Sequence, residues 1–132
     1  MYRISETNKF PKTNGIYKIY FNDCKSKKIY VGSASGKDGF YGRWKSHSSQ
    51  LLNNKSGCKA LQSAFNKYFN NDNLIFEIIE ECDTKECLIR EQYYIDNLDS
   101  YNKGYNTRPN ASNNGGIKMK ENTKYLIYKT WK

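Results

Sequence analysis

The sequence predicts an α/β (α+β) domain in which a small, mainly antiparallel three-stranded sheet is flanked by helices. Three short runs of β-branched and aromatic residues are bounded by turn residues, and apolar residues recur at helical spacing in the stretches between and after them. The predicted order is β-β-α-α-β-α. No Gly-rich phosphate loop follows a strand in the sequence, which argues against a doubly wound nucleotide-binding fold.

The first two predicted strands cover residues 14–22 and 28–33. A short polar segment joins them, so they are expected to pair as an antiparallel hairpin. Alternate residues of a strand share a face, which places Tyr30 and Gly32 together. If Tyr17 pairs with either of them, two phenols and a bare glycine form a small polar floor that a ligand backbone could fit. The alternative is that both tyrosines pack as ordinary strand aromatics.

Helices are predicted over residues 40–53 and 58–70, and a third helix ends near Leu98. Between them, residues 74–80 are almost all apolar and predict a central strand. Asp83 followed by Glu86 at three residues is typical of a capping box at the start of the third helix. The inward stripe of that helix is expected to contain Leu88, either Glu91 or Gln92, Ile95 and Leu98.

The chain of 132 residues is divided into a domain at 1–108 and a linker with a basic tail at 109–132. Its 22 Lys and Arg against 13 Asp and Glu give a net charge of +9. Residues 1–60 and 101–132 are basic and residues 61–100 are acidic, which favours a polyanionic partner for the two ends. Lys118 and Lys120 of the tail are candidate DNA contacts. The tail is expected either to dock on the domain or to begin a DNA-binding region.

The sequence has no signal peptide at its start, no apolar run long enough for a membrane span, and no cysteine spacing typical of zinc. We therefore expect a cytoplasmic protein with reduced cysteines and no membrane partner.

Four polar residues outside the hairpin are candidates for chemistry. Arg43 and His47 are four apart on the first helix and about 40° from each other, so they could hold a phosphate and handle a proton. A carboxylate at Glu91, on or beside an apolar stripe, is costly unless it is paired or bound to a metal. Asn106 follows a glycine turn and could orient a neighbouring group. The alternatives are a solvated polar face for the first pair and a solvated helix border for Glu91.

These residues form an ordered set of motifs. Gly-Ile-Tyr at 15–17 and Tyr-Val-Gly at 30–32 resemble the signature of the GIY-YIG nuclease superfamily. Later markers follow in order, namely Arg43 within 42–47, Glu91 within 89–95, and Asn106 after Gly-Tyr at 104–105. The resemblance covers about residues 14–108. Segments 28–34, 43–47 and 63–67 look most like the catalytic domains of phage homing endonucleases, which join this domain through a linker to a C-terminal DNA-binding region.

The resemblance implies a DNA endonuclease of double-stranded DNA that uses one Mg²⁺, or Mn²⁺, on Glu91. Tyr17 would be the general base, with nearby positive charge favouring its phenolate, and whether Tyr17 or His47 takes the proton stays open. Arg43 would bind the scissile phosphate. Tyr30 and Asn106 would orient or support the site, and Gly32 and Lys45 join the two tail lysines as candidate DNA contacts. A bacterial or phage-infected cell is the expected setting. The alternatives are a restriction- or repair-type nuclease of this fold, and a DNA-binding module without catalysis.

Overall fold

A computed structural model describes residues 1–22 and 27–107. The elements in chain order are β1 (Tyr2–Arg3), β2 (Gly15–Phe21), β3 (Tyr30–Ala34), α1 (Gly39–Leu52), α2 (Lys59–Tyr68), β4 (Leu74–Glu81) and α3 (Cys87–Leu98). Short 3-10 helices cover Ile4–Lys9 and Thr84–Glu86. Apart from these 3-10 turns and β1, the predicted order is confirmed. The linker and tail, with Lys118 and Lys120, lie outside the described residues.

The sheet has four strands in the order β1-β4-β2-β3, and all of its neighbours are antiparallel. The prediction of three strands was therefore one short. β1 contains only two residues, Tyr2 and Arg3, which pair with Phe76 and Ile75 of β4. A strand of two residues shows no alternating pattern in the sequence, so β1 is recognised only from its pairing with β4 in the structure. The interior position of β4 confirms the expected central strand.

Two separate cores cover the two faces of the sheet. The larger core, termed the aromatic core, joins β2 and β4 to α1 and α2 and includes Tyr17, Phe40, Trp44, Phe65 and Phe76. The smaller core, termed the α3 core, contains Ile16, Val31, Cys87 and Ile95. Tyr17 and Ile16 are adjacent in β2 and face opposite ways, as strand geometry requires. The site described below lies where the two cores approach each other at β3.

The start of α1 depends on a glycine. Gly39 has a φ of +53°, and a Cβ atom there would lie 2.1 Å from the carbonyl oxygen of Thr13. The backbone N–H of Phe40 donates to that same carbonyl oxygen at 2.9 Å. The helix therefore begins against the segment that leads into β2, which fixes α1 relative to the sheet.

The third helix differs from its prediction at both ends. Asp83 makes no side-chain cap hydrogen bond, and the carboxylate of Glu86 pairs with Arg90 instead, so the capping box is wrong. Leu98 is 44% exposed rather than inward, because Asp99 adopts a left-handed conformation and the helix ends there. Cys58, Cys82 and Cys87 are free thiols, and Cys24 lies outside the described residues. Within residues 1–22 and 27–107, no helix has the length and apolar character that a membrane crossing requires.

Candidate active site

The β2–β3 hairpin places Tyr17 directly opposite Gly32, so the predicted pairing is confirmed. The Tyr17 ring is fully buried and lies across this glycine: a Cβ atom on Gly32 would be 2.5 Å from the phenol oxygen. The missing side chain of Gly32 therefore makes room for Tyr17. The space beside Gly32 on this face is filled by the Tyr17 ring, which packs as the alternative of ordinary strand aromatics predicts.

His47 joins Tyr17 from α1. Its Nε2 lies 2.7 Å from the Tyr17 hydroxyl oxygen, and the imidazole is only 6% exposed. Tyr30 also packs against this imidazole, with ring centroids 5.5 Å apart. Trp44, one turn earlier on α1, packs edge-on against the Tyr17 ring at 5.9 Å. The aromatic core therefore fixes the phenol and the imidazole in a single arrangement.

Burial keeps both members of this pair neutral. Loss of solvation raises the pKa of Tyr17 well above its usual value, and the neighbouring Tyr30 and Glu91 raise it further, while Arg43 lowers it. Burial, helped by Arg43, lowers the pKa of His47 to about 3. Arg43 acts in the expected direction, since its charge favours the phenolate, but desolvation has the larger effect on the pKa of Tyr17. At neutral pH a neutral phenol and a neutral imidazole therefore share this hydrogen bond, and the tautomer of His47 decides which of them donates.

Arg43 is exposed to solvent, yet its guanidinium hydrogen-bonds with the phenols of both Tyr17 and Tyr30. Burial, followed by the charge of Glu91, raises the pKa of Tyr30 to about 12, so this phenol is also neutral. The contact with Tyr17 raises the pKa of Arg43 itself. A permanently charged planar group thus stands at the solvent side of two neutral phenols, where it can bind an anion.

Glu91 reaches the site from α3, on the other face of the sheet. Burial raises the pKa of its carboxyl to about 7, while a hydrogen bond from Ser33 and the charge of Arg43 act in the opposite direction. The Ser33 hydroxyl donates to Glu91 Oε1 at 2.5 Å. Gln92 takes the fully inward position of the helix, and Glu91 lies partly buried beside it. The solvated-border alternative for Glu91 is therefore wrong.

Ser33 is the site residue that the sequence reasoning missed. It follows Gly32 in β3 and points to the opposite face, toward α3. The available signal was strand alternation, which places the hydroxyl one residue after the glycine on the face opposite Tyr17.

Asn106 occupies a supporting position. Its Oδ1 accepts a hydrogen bond from the backbone N–H of Val31 at 2.8 Å, and its Nδ2 donates to the Val31 carbonyl at 3.0 Å. The side chain therefore pairs with β3 as another strand would, and it fixes the strand that carries Tyr30 and Ser33. Lys45 stands apart from the site, with its ammonium over the Tyr41 ring at 5.4 Å.

The donor set around Glu91 is compatible with a hydrated divalent ion. Among the described residues, no cluster of three or more His, Cys, Asp or Glu side chains could form a complete protein cage. A single carboxylate suits Mg²⁺, which keeps several waters and takes a substrate phosphate oxygen as a further ligand. The hydroxyl of Ser33 donates to Oε1 of this carboxylate and thereby fixes its orientation.

Comparisons with known proteins identify the family and the fold. Residues 13–106 match the family model of the GIY-YIG catalytic domain. The chain is 41% identical over 100 residues to intron-associated endonuclease 1 of Enterobacteria phage T4, a match that covers 70% of this chain and 36% of that protein. The chain therefore spans about a third of the length of this curated relative.

Two solved structures are similar to this one. A mutant of the catalytic domain of intron endonuclease I-TevI matches with a TM-score of 0.64 and 30% identity, covering 76% of this chain and 97% of that domain. The structure of the catalytic domain of homing endonuclease I-TevI matches with a TM-score of 0.61 and 32% identity, covering 72% and 98% respectively. The expected fold and the resemblance to homing endonuclease catalytic domains are thereby confirmed.

Proposed function

Because the chain belongs to the GIY-YIG catalytic domain family, we propose that it is a divalent-metal-dependent endonuclease that hydrolyses phosphodiester bonds in double-stranded DNA. The observation that carries the proposal is the convergence of the Tyr17–His47 pair, the Arg43 guanidinium and the Glu91 carboxylate at one hairpin. Phosphodiester hydrolysis needs a deprotonated water, stabilisation of charge on the phosphoryl group and help for the leaving oxygen. The convergent groups offer one candidate for each need.

Arg43 is the group that we assign to the phosphate. Its guanidinium lies at the exposed side of the site and presents paired N–H donors, which match two phosphate oxygens. Charge develops on these oxygens in the transition state, so a fixed guanidinium lowers the barrier. The phenols of Tyr17 and Tyr30 hydrogen-bond with this guanidinium and hold it in position.

Tyr17 and His47 are assigned to the proton. A neutral phenol cannot accept a proton while it keeps its own, so Tyr17 takes one from water only as it passes its proton to His47 Nε2 along their 2.7 Å hydrogen bond. The pKa of His47, at about 3, opposes this transfer in the free protein. A bound phosphate brings negative charge and raises the pKa of the imidazole. Substrate binding would therefore prepare the pair for proton transfer.

Glu91 is the residue that would hold a Mg²⁺ or Mn²⁺ ion, which when bound supplies Lewis-acid stabilisation of the phosphate and leaving oxygen. Ser33 fixes the orientation of the carboxylate, and Asn106 fixes β3 under both. Similarity to a phage endonuclease supports a phage-type enzyme, and we propose that it works in the cytoplasm of a bacterial or phage-infected cell.

Incubation of the full chain with supercoiled plasmid, with Mg²⁺ or with EDTA, tests the proposal. Nicked or linear DNA is expected with Mg²⁺ alone. Glu91→Gln removes the charge at the proposed metal residue, and Glu6→Gln serves as the matched control because Glu6 lies in the first 3-10 helix away from the hairpin. Plasmid that stays intact when the unchanged chain is supplied with Mg²⁺, together with retained DNA binding, would instead favour the non-catalytic DNA-binding alternative.

A further inference from the structure

A lysine–tyrosine cluster lies on the exposed surface of α1. The ammonium groups of Lys12 and Lys45 stand 5.3 and 5.4 Å from the centroid of the Tyr41 ring. Both lysines are exposed, and neither forms a salt bridge with the acidic residues of the described part of the chain. We term Lys12, Tyr41 and Lys45 the lysine–tyrosine patch. Two positive charges are thus held close together without a negative partner, which makes the patch attractive to an anion.

The patch is held by backbone contacts. The N–H of Tyr41 donates to the Pro11 carbonyl at 2.7 Å, and the N–H of Phe40 donates to the Thr13 carbonyl at 2.9 Å. Lys12 therefore lies in a segment bonded on both sides to the first turn of α1. The family match begins at residue 13, so this part of the patch comes from outside the matched domain.

The position of the patch relative to Arg43 suggests its partner. At 100° per residue, Lys45 lies about 160° around α1 from Arg43, so the two cations stand on opposite sides of the helix. An α-helix with its side chains is about 10–12 Å across, and the phosphate backbones that flank the major groove of DNA are about 12 Å apart. Between the two sides, α1 exposes the small side chains of Ser46 and Ser49. A duplex could therefore meet both cations at once.

We propose that the lysine–tyrosine patch is a second phosphate-binding surface for duplex DNA, which holds the backbone on the side of α1 opposite the site at Arg43. This inference rests on the proposed function and extends it by assigning the position of the substrate. Tyr41 acts as a positioning residue, because its ring keeps both ammonium groups at one place. Most acidic residues of the chain lie in 61–100. Beside the patch, Asp38 immediately precedes α1, and the carboxylate of Glu81 accepts a hydrogen bond from the hydroxyl of Thr13.

The salt dependence of binding measures such contacts, because each phosphate that a lysine neutralises releases condensed counterions. The full chain is titrated onto a labelled mixed-sequence duplex in EDTA, so that no cutting occurs, over a series of KCl concentrations. Lys12→Ala and Lys45→Ala are each expected to reduce the slope of log affinity against log salt by about 0.9. Lys67→Ala is the matched control, since Lys67 lies 5.2 Å from the Tyr68 ring at the far end of α2.

A double variant tests whether both sides of α1 bind one duplex. If they do, Arg43→Ala combined with Lys45→Ala reduces the slope by about the sum of the two single losses. Tyr41→Phe keeps the ring and should bind like the unchanged chain, whereas Tyr41→Leu should bind more weakly. Unchanged melting temperatures show that the variants are folded.

Slopes for Lys12→Ala and Lys45→Ala equal to that of Lys67→Ala would overturn the proposal, as would a double variant no different from Arg43→Ala alone. The outcome is independent of cleavage. If the variants show the expected slopes but the unchanged chain never cuts plasmid, the phosphate-binding surface is supported and the proposed nuclease activity is contradicted. If the unchanged chain cuts plasmid but Lys12→Ala and Lys45→Ala leave the slope unchanged, the nuclease activity is supported and the phosphate-binding surface is contradicted.

Discussion

The two faces of the sheet differ in how they hold reactive groups. On the face covered by α1 and α2, rings surround Tyr17 and His47, and neither side chain has more than 6% of its surface exposed. On the face covered by α3, the buried cluster consists of Ile16, Val31, Cys87 and Ile95, and Glu91 lies partly buried at its side. The first face stabilises neutral, fixed proton carriers. The second leaves a carboxylate near enough to solvent to exchange a proton or bind an ion.

This difference indicates how one small domain can separate the two parts of the chemistry. Dense aromatic packing disfavours charge, so the Tyr17 phenol and the His47 imidazole both stay neutral until substrate binds. Burial also disfavours charge on the α3 face, since it raises the pKa of the Glu91 carboxyl to about 7, but this group still ionises near neutral pH, as a metal ligand must. β3 joins the two parts, because Gly32 faces Tyr17 and Ser33 faces Glu91.

The largest effect is expected from Glu91→Gln, which keeps the shape of the side chain and removes its charge. Loss of a metal ligand removes several kcal/mol of transition-state stabilisation, so cleavage in Mg²⁺ should fall about 10³-fold. The same change should stabilise the fold in EDTA above pH 7, by up to about 3 kcal/mol, because the carboxyl pKa is raised from 4.5 to about 7. Denaturant titrations and cleavage assays measure the two effects. A variant that cuts normally, or that is less stable than the parent, contradicts the assignment.

Tyr17→Phe tests the other face. The ring remains in the aromatic core, while the hydroxyl that bonds with His47 is lost, so the single-turnover rate should fall about 10²-fold or more. The unpaired imidazole nitrogen should cost about 1–3 kcal/mol of stability. Tyr20→Phe removes a phenol that bonds with Glu77 instead and should leave the rate unchanged. Equal rates for the two variants would remove Tyr17 from the proton path.

Arg43→Lys separates geometry from charge. Lysine keeps the positive charge but cannot bind two phosphate oxygens through one planar group, so the rate at saturating DNA should fall about tenfold to 10²-fold. The control is Arg3→Lys, because Arg3 lies on β1 and contacts the carbonyl of Asp72. If Arg43→Lys cuts as fast as Arg3→Lys, Arg43 acts through its positive charge alone and its planar geometry does not contribute.

The sequence predicted those features of the site that depend on local geometry. The pairing of Tyr17 with Gly32 follows from strand alternation, and the unusual position of Glu91 follows from the helical period. Residue spacing could not predict the protonation states, since the raised pKa of Tyr17 comes from burial by elements that are distant in sequence. Spacing also leaves open whether the space beside Gly32 is free or filled, and only the folded chain shows that Tyr17 fills it. β1 was missed because two residues carry no period.

The pH dependence of cleavage should report Glu91. With a carboxyl pKa of about 7, the ionised fraction rises about tenfold between pH 6 and pH 8, so the rate at limiting Mg²⁺ should rise by a similar factor. Stability should move the other way: the folded chain binds the extra proton between about pH 4.5 and 7, so the free energy of unfolding falls as pH rises through that window. A rate that is flat from pH 6 to pH 8 at limiting metal would contradict this assignment.

The smallest change, a single methyl group, tests the strand that joins the two faces. In Gly32→Ala the new Cβ would lie 2.5 Å from the Tyr17 phenol oxygen, so the ring must move within a core that has no spare room. Overpacking of this kind costs about 1–3 kcal/mol of stability, and movement of the phenol should lengthen its bond with His47 and slow cleavage severalfold. Gly57→Ala is the matched control, since no atom lies within 4 Å of a Cβ there. Because Glu91 and Ser33 lie on the other face, the affinity for Mg²⁺, measured calorimetrically, should stay the same in Gly32→Ala. A loss of metal affinity equal to the loss of rate would mean that the two faces move as one unit.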